Sequence, residues 1–477
     1  MLLFGRNPGR CVLTRLQIDG FKNLRGADLR FGPLTCIAGR NGVGKSNLFD
    51  AIAFLRDLAS MPLVKAATEV RGTGSRISGI ASLFDLSVSG PPRMRLVADM
   101  VVARQVQDDF DRPATATATY LRYTLVLGLR LTAEPEQGQP LELVSEDLRA
   151  LSLEAATQEL KFGPDKAWIK RFLKGPGSRT SPFIDTDDGA IRLWGDKQGK
   201  GGGSQAAVPA AKSPQTVLAG VGASTHPTAL AVRREMQSWR QLQLEPSALR
   251  EPDDFRGENR ISHIGAHLPN ALRRIGCHAE LSNQLSGLIP GVVSVDVDSD
   301  EARQQRVLKA RLQDRRTYDA SALSDGTLRF IALALLGLDP LTTGLTCLEE
   351  PENGIHPQRI PAMMALVQKL AEDLPPDEAE DQSTALPITS PRQVMINTHS
   401  PLVFSSLPEH ALLMADTRRQ NGQDWVTFKP MAGTWRATDL QATAVVSKGV
   451  LAAYLGARAL ARSPGPDRLT DDMFRNR

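Results

Sequence analysis

Residues 34–58 read LTCIAGRNGVGKSNLFDAIAFLRDL: an apolar run, a glycine-rich turn, then apolar residues at helical spacing. The pattern predicts a strand, a phosphate-binding loop and a helix. Gly39, Gly44, Lys45 and Ser46 fit G-x-x-x-x-G-K-[ST], in which glycines let backbone N–H groups close on phosphate oxygens with no Cβ in the way. Gly39, Arg40, Asn41, Gly42, Val43, Gly44, Lys45, Ser46 and Asn47 are therefore the expected nucleotide contacts. Lys45 would reach the β- and γ-phosphates of ATP and Ser46 would ligate Mg²⁺, with the start of the helix adding a favourable dipole. Leu34, Cys36 and Ile37 before the loop, and Leu48, Ile52 and Leu55 after it, supply the apolar faces that such a strand and helix need.

Composition narrows the rest. A chain of 477 residues with 41% hydrophobic content holds two or three core-forming units. Lys and Arg number 57 against 53 Asp and Glu, a net charge of +4, so any nucleic-acid surface has to be local. Cys11, Cys36, Cys277 and Cys347 form no C-x-x-C pair and read as buried thiols of a reducing compartment. No run approaches the roughly 18 apolar residues of a membrane span, and the start of the chain lacks a signal-peptide pattern, so a cytoplasmic protein with no membrane partner is expected.

Residues 11–18 alternate as a strand, and another is expected at 27–31. The loop's helix should end near Leu58, after which Gly72, Gly74, Gly79 and Gly90 break any long element. Residues 94–102 and 120–131 alternate with period two, as in a half-exposed antiparallel sheet. Residues 141–151 continue that region, and the runs around Trp168 and Trp194 predict further hairpins. Residues 196–218, rich in Gly, Ser, Ala, Pro and Gln, read as a mobile loop or hairpin tip. A helix is expected from Pro227 to about Leu242 and two shorter ones at 268–276 and 279–290. Arg233, Arg234, Arg240, Arg273 and Arg274 are assigned to a solvated face. Strand character returns at 292–298 and 307–313. Residues 374–392 form an acidic, Pro-rich surface insertion, and 440–462 one or two closing helices with an apolar face at Val450, Leu451, Tyr454 and Leu455.

Three stretches in the second half complete a site. In residues 322–337, ALSDGTLRFIALALLG, a small-residue turn opens an apolar helix whose N-terminal N–H groups make Ser324, Asp325 and Gly326 candidate anion contacts, with Ser324 as a plain N-cap the competing reading. Residues 345–357, LTCLEEPENGIHP, are a strand ending in two carboxylates that suit two jobs. Glu349 would hold the water shell of Mg²⁺, and Glu350 would polarise the attacking water. From Gln393, QVMINTHSPLVF is a strand that ends at His399, on the edge of an α/β sheet where ligands gather.

That order resembles ATP-binding-cassette ATPases: phosphate loop, signature turn, acidic strand, switch histidine. More narrowly, GRNGVGKSNLFDAI, LSDGT, LEEPENGIHP and NTHSP look like the AAA15 group, which includes the overcoming-lysogenization-defect nucleases and relatives of RecF-type repair proteins. The motifs cover the first 60 residues and roughly 320–410. The resemblance implies an α/β fold, a P-loop ABC-type core with a mixed sheet plus an inserted β-rich and helical lobe. It divides the chain into 1–60 and 291–415 as the two halves of the core, 61–290 as the inserted lobe, and 416–477 as closing strands and helices. It makes Lys45, Glu350 and His399 catalytic and Ser46 and Glu349 the metal ligands. It also implies a head-to-head homodimer or higher oligomer, in which the Ser324–Gly326 turn of one protomer meets the γ-phosphate held by the other, with Asn353 and His356 at the seam. The activity implied is ATP hydrolysis driving a switch, in anti-phage defence with a separate nuclease or toxin effector. A RecF-like DNA clamp and an ATP-gated scaffold with little turnover are the alternatives. Two departures stand out: Glu349 replaces the usual Asp, and the Q-loop glutamine has only Gln105 and Gln107 as candidates. Residues 400–477 lack the acidic D-x-D set of a TOPRIM nuclease, and residues 60–320 lack long coiled coils.

Overall fold

The computed structural model describes residues 12–74, 77–88, 90–130, 140–164, 166–196, 207–222, 225–289, 291–371, 392–420, 422–438, 444–447, 449–450 and 453. The expected strand at 11–18 is seen as Leu13–Asp19. Cys11, the insertion at 374–391 and most of the closing helices lie outside the described residues. Of the apolar face expected there, Val450 is described and is exposed.

The phosphate-loop strand, Leu34–Ala38, lies inside a six-stranded sheet. Its order is Arg240–Leu242, Gly344–Glu349, Arg392–Thr398, Leu34–Ala38, Leu412–Gln420, Gln423–Pro430, with all neighbours parallel except the last pair. Alternation sets the two faces. Ile37, Cys347, Met395 and Leu413 pack into one core, and Cys36, Ala38, Leu348, Ile396 and Leu412 into another. A parallel strand covered on both sides has no polar face, so Gly344–Glu349 and Arg392–Thr398 are buried at every position.

The helix after the loop, Lys45–Leu58, fills the first core with Leu48, Phe49, Ile52, Phe54 and Leu55. That core is shared with an eight-stranded antiparallel sheet. It runs Val208–Pro209, Ala190–Leu193, Ile184–Asp187, Leu141–Ala150, Tyr120–Leu129, Arg93–Val101, Leu13–Asp19 and Ala27–Arg30. The second core is covered by Asp325–Leu338, Ile360–Leu370 and the short helices Leu268–Ile275 and His278–Leu288. The period-two runs at 292–298 and 307–313 are strands Val292–Asp300 and Gln305–Leu312. They form a separate small sheet with Asp253–Asp254 and Thr317–Asp319 rather than joining the core sheet.

Several expectations are corrected. The run at Trp168 is a helix, Lys166–Phe172, because Trp168 and Phe172 sit four residues apart with ring centroids 5.6 Å from each other. The helix from Pro227 stops at Ser238. Arg240–Leu242 is drawn instead into edge pairing with Thr346–Leu348, a tertiary demand that overrides helical propensity. Of the five arginines Arg273 is exposed as expected, but the others are not a solvated face: Arg233 and Arg234 both pair with Asp109, Arg274 pairs with Asp339 at 2.7 Å, and Arg240 is partly buried. Cys36 and Cys347 are buried free thiols, as expected, and Cys277 is half-buried.

The second half of the stretch read as mobile, residues 207–218, is pinned. The Val217 and Leu218 N–H groups donate to the buried Glu146 carboxylate at 2.6 and 2.9 Å, and the Thr216 hydroxyl donates to the Leu58 carbonyl at 2.9 Å. Burial pushes the Glu146 carboxyl up to about 7, and hydrogen bonds from Leu218, Val217 and Tyr123 offset only part of that. Burial likewise takes Glu235 up to about 7. Each group is protonated in the folded chain where the unfolded chain, near 4.5, has lost its proton. Folding therefore takes up protons, and stability falls as pH rises from about 4.5 to about 7 and is flat above. Glu235 uses one oxygen, Oε1, toward Trp239 Nε1 at 3.1 Å and the Ser238 hydroxyl. Glu235→Gln keeps that acceptor and should raise unfolding stability at pH 8 by about 3 kcal/mol, with no gain at pH 4.5. Urea unfolding across this range checks it, and a variant curve running parallel to the parent's would refute the buried acid.

Candidate nucleotide site

The phosphate loop closes around its own lysine. Lys45 Nζ donates to the carbonyls of Gly39 and Arg40, both at 2.8 Å, while Arg40, Asn41 and Gly42 at the loop's apex face solvent. The first and last glycines are steric requirements. A Cβ on Gly39 would stand 2.6 Å from the Ala415 carbonyl oxygen, and Gly44, at φ +107°, would bring one within 2.6 Å of Val426. The helix that starts at Lys45 has no side-chain cap and no acid in its first turn. Its leading N–H groups thus face the loop opening with no competing carboxylate, the condition an anion needs. Asn23 supports the loop from outside, donating to the Val43 carbonyl at 3.3 Å and accepting from Asn47 at 2.7 Å.

Glu349 and Glu350 end the neighbouring strand but one, as expected, and point to different partners. Glu349 is nearly buried and is held by Arg71 at 3.1 and 3.2 Å and by Gln241 Nε2 at 2.5 Å. The same Arg71 nitrogen reaches Asp50 at 2.9 Å and the Ser46 carbonyl at 3.4 Å, and Lys22 pairs with Asp50 at 2.7 Å. Two acids, Asp50 and Glu349, thus stand beneath Ser46 with cationic side chains neutralising them. A hydroxyl and a carboxylate are the oxygen donors Mg²⁺ takes, one or two of them alongside most of its water, and Arg71, which balances Glu349 here, would have to give way to the ion. Ser46 and Glu349 supply donor oxygens of the type that ion takes.

Glu350 adopts a left-handed backbone, φ +42°, uncommon for a residue with a Cβ. Its N–H is held by both the backbone and side-chain oxygens of Asn397 at 3.1 Å. Asn397 Nδ2 lies 3.4 Å from Ser46 Oγ, so one amide joins the acidic strand to the phosphate loop. His399 Nδ1 lies 2.9 Å from Glu350 Oε1, and Asn353 Nδ2 donates to Oε2 at 2.9 Å. Burial alone would raise the Glu350 carboxyl. The hydrogen bonds from Asn353 and His399, with the charges of His399 and Lys45, outweigh it and hold Glu350 below its ordinary value. It is an ionised acceptor at neutral pH.

The signature turn is placed differently from a bare anion site. Ser324 caps its helix, accepting from the Thr327 N–H at 3.2 Å, and Asp325 pairs with Arg250. His356 caps the turn after the acidic strand, accepting from Gln358 N–H at 3.3 Å. Gln105 and Gln107 are exposed on a two-stranded ribbon with Pro113–Thr115, and the glutamine that reaches the site is Gln241. Sequence reading missed Arg71, Asp50, Asn397 and Gln241. Of these, Asp50 carried a signal, since an acid one turn beyond Ser46 on an otherwise apolar helix face needs a partner. Among the described residues no cluster of three or more His, Cys, Asp or Glu could hold a metal alone, and no helix is long and apolar enough to cross a membrane.

Local matches tie the chain to DNA replication and repair protein RecF. Identity is 47% over 45 residues with that of Porphyromonas gingivalis, covering 9% of this chain and 12% of that protein. With that of Anaeromyxobacter dehalogenans it is 37% over 92 residues, covering 19% and 23%. The chain thus spans a quarter or less of these curated relatives. Among solved structures, an SMC head bound to the C-terminal winged-helix domain of ScpA aligns with 88% of this chain and 98% of its own, at 14% identity and a TM-score of 0.45. The SMC head of Thermotoga maritima aligns at 14% identity and a TM-score of 0.37, covering 88% and 99%. A family described as "AAA domain, putative AbiEii toxin, Type IV TA system" matches residues 34–99 and 233–405, half of the chain, and takes in every motif of the site. The chain belongs to this AAA-domain family.

Proposed function

We propose that the chain binds ATP with Mg²⁺ and hydrolyses it, using the cycle as a dimeric switch. The observation that carries this is Glu350: an ionised carboxylate in a left-handed backbone, tied by Asn397 to Ser46 and by hydrogen bond to His399, beside an uncapped phosphate-loop helix. Bound Mg²⁺, held by Ser46 and Glu349, would neutralise charge on the β- and γ-phosphates. Lys45 exchanges its loop carbonyls for phosphate oxygens, Glu350 accepts hydrogen-bonding from the attacking water, and His399 orients Glu350 through Nδ1. In the assembled dimer, the Ser324–Gly326 turn of one protomer closes the site of the other.

The matched family's toxin–antitoxin description supports a defence role, which we place in the cytoplasm and pair with a separate effector such as a nuclease. The RecF matches, which cover 9% and 19% of this chain, support a second reading as a DNA-binding repair clamp. ATP turnover by the purified chain, with and without duplex DNA, tests both. Turnover stimulated by DNA alone favours the clamp, and turnover indifferent to DNA favours a protein trigger and effector. No turnover under either condition refutes hydrolysis.

The dimer makes its own prediction. Ser324→Arg should abolish turnover while ATP binding stays within about twofold, since the residue serves the partner's site. Lost capping alone would cost about 1 kcal/mol of stability and leave turnover intact. Mixing Ser324→Arg with Lys45→Ala, each inactive alone, should restore about a quarter of parental activity, because half of the two-fold dimers then carry one intact composite site. A mixture as inactive as its components would refute action between protomers.

A further inference from the structure

Away from the phosphate loop, a cavity of about 510 Å³ opens beside the edge strand Arg240–Leu242. Leu341 and Thr343, which precede Gly344–Glu349, line it together with Arg240, Gln241 and Leu242, which pair with Thr346–Leu348, so it runs along the flank of the sheet's edge. Its lining holds three guanidinium groups, Arg56, Arg240 and Arg260, against one carboxylate, the exposed Glu258.

The cations are unequally satisfied. Arg56 pairs with its neighbour Asp57 at 2.8 Å, and Arg240 donates to the Ile261 carbonyl, a neutral acceptor. No acid among the described residues pairs with Arg260. Burial disfavours the charged form of Arg240; Asp339 favours it, and Arg260 and Arg274 each oppose it less strongly. Guanidiniums that line one cavity repel each other, a cost that an anion between them would return. The walls add both donors and apolar surface: Gln237, Ser262, Trp239 and Ile261. The volume is that of a small-ligand pocket, which spans about 300–1,000 Å³. Cationic forks, side-chain donors and an apolar wall in such a space suit a phosphate carried on a nucleoside-sized group.

We propose that this cavity is a second anion site, distinct from the phosphate loop, which binds a nucleoside 5′-phosphate between Arg240 and Arg260. The ligand's position has a consequence for the ATP site, because Gln241 lines the cavity and also holds Glu349. An occupant sits one side chain from the carboxylate assigned to the metal.

The test uses the full chain carrying Lys45→Ala, so that the phosphate loop does not contribute. Titration calorimetry with AMP, and with a short oligonucleotide bearing or lacking a 5′-phosphate, reads the site directly. AMP is expected to bind saturably, and adding Arg260→Glu, a change at an exposed side chain, to weaken it at least tenfold. Tighter binding of the 5′-phosphorylated oligonucleotide than of AMP identifies strand ends as the source, and the reverse identifies free nucleotides. Either supports the site provided that the unphosphorylated strand binds at least tenfold more weakly. Absence of saturable binding, or equal affinity in the Arg260→Glu protein, overturns it. Unfolding curves of the two proteins that superimpose show that any loss is not one of folding.

Discussion

Glu350→Gln is expected to lower steady-state ATP turnover by at least about 100-fold while leaving ATP affinity within about twofold, the size of a lost general base. The amide matches the carboxylate in shape, so the left-handed turn at φ +42° and the N–H bonds to Asn397 survive. What disappears is the charge that His399 and Asn353 stabilise and the oxygen that accepts from water. With hydrolysis stopped and binding intact, the ATP-bound dimer should accumulate, and the particle's mass should double on adding ATP to this variant. Phosphate release and light scattering read the two effects. A variant that turns over at the parent's rate moves the base elsewhere, and Glu352 would then need examination. Glu352 is buried and accepts from Thr398, but burial lifts its carboxyl instead of lowering it. That contrast is the reason for assigning the base to Glu350.

Those acids were visible in the sequence because a buried parallel strand leaves a plain mark: an uninterrupted apolar run that ends abruptly in charge. LTCLEE and QVMINTH carry it, and so does LTCIAG, where glycines replace the charge. Three such runs, in the order of the motifs, place the phosphate loop, Glu349 and Glu350, and His399 on one sheet edge. The six-stranded sheet shows them as neighbours, with Arg392–Thr398 between the other two. The antiparallel lobe was legible for the same reason in its other form, period-two alternation at Arg93–Val101 and Tyr120–Leu129.

What escaped the sequence was every contact made across long separation by a residue with no local signal. Arg71 follows a short helix and precedes two glycines, a context that reads as surface loop, yet it meets Glu349 across 278 positions. Gln241 looked like the tail of a helix, because nothing local tells a helix end from a three-residue edge strand. Only pairing with Thr346–Leu348 makes it extended. The segment 207–218 misled for a different reason. Its composition is that of a flexible chain, and the order comes from Glu146, a buried acid some 70 positions earlier whose oxygens its N–H groups reach.

Lys45→Ala should weaken ATP binding by two to three orders of magnitude and leave the chain folded. A unit charge about 4 Å from a phosphate oxygen contributes roughly 4 kcal/mol at the effective dielectric of a protein surface, and desolvation returns part of it, leaving about 3–4 kcal/mol. Against this, the lysine's structural role is small: its two 2.8 Å bonds go to carbonyls of the same loop, five and six residues earlier. Losing them costs about 1 kcal/mol each at most, since water can take the lysine's place at a loop whose apex is open. The glycines answer for the loop's shape independently, through the contacts of Gly39 with Ala415 and Gly44 with Val426. Binding of a fluorescent ATP analogue and urea unfolding should therefore separate cleanly, with affinity lost and the unfolding midpoint nearly kept. If affinity is retained, the charge that holds phosphate is elsewhere, and Arg71, whose guanidinium already reaches the Ser46 carbonyl, is the group to change next.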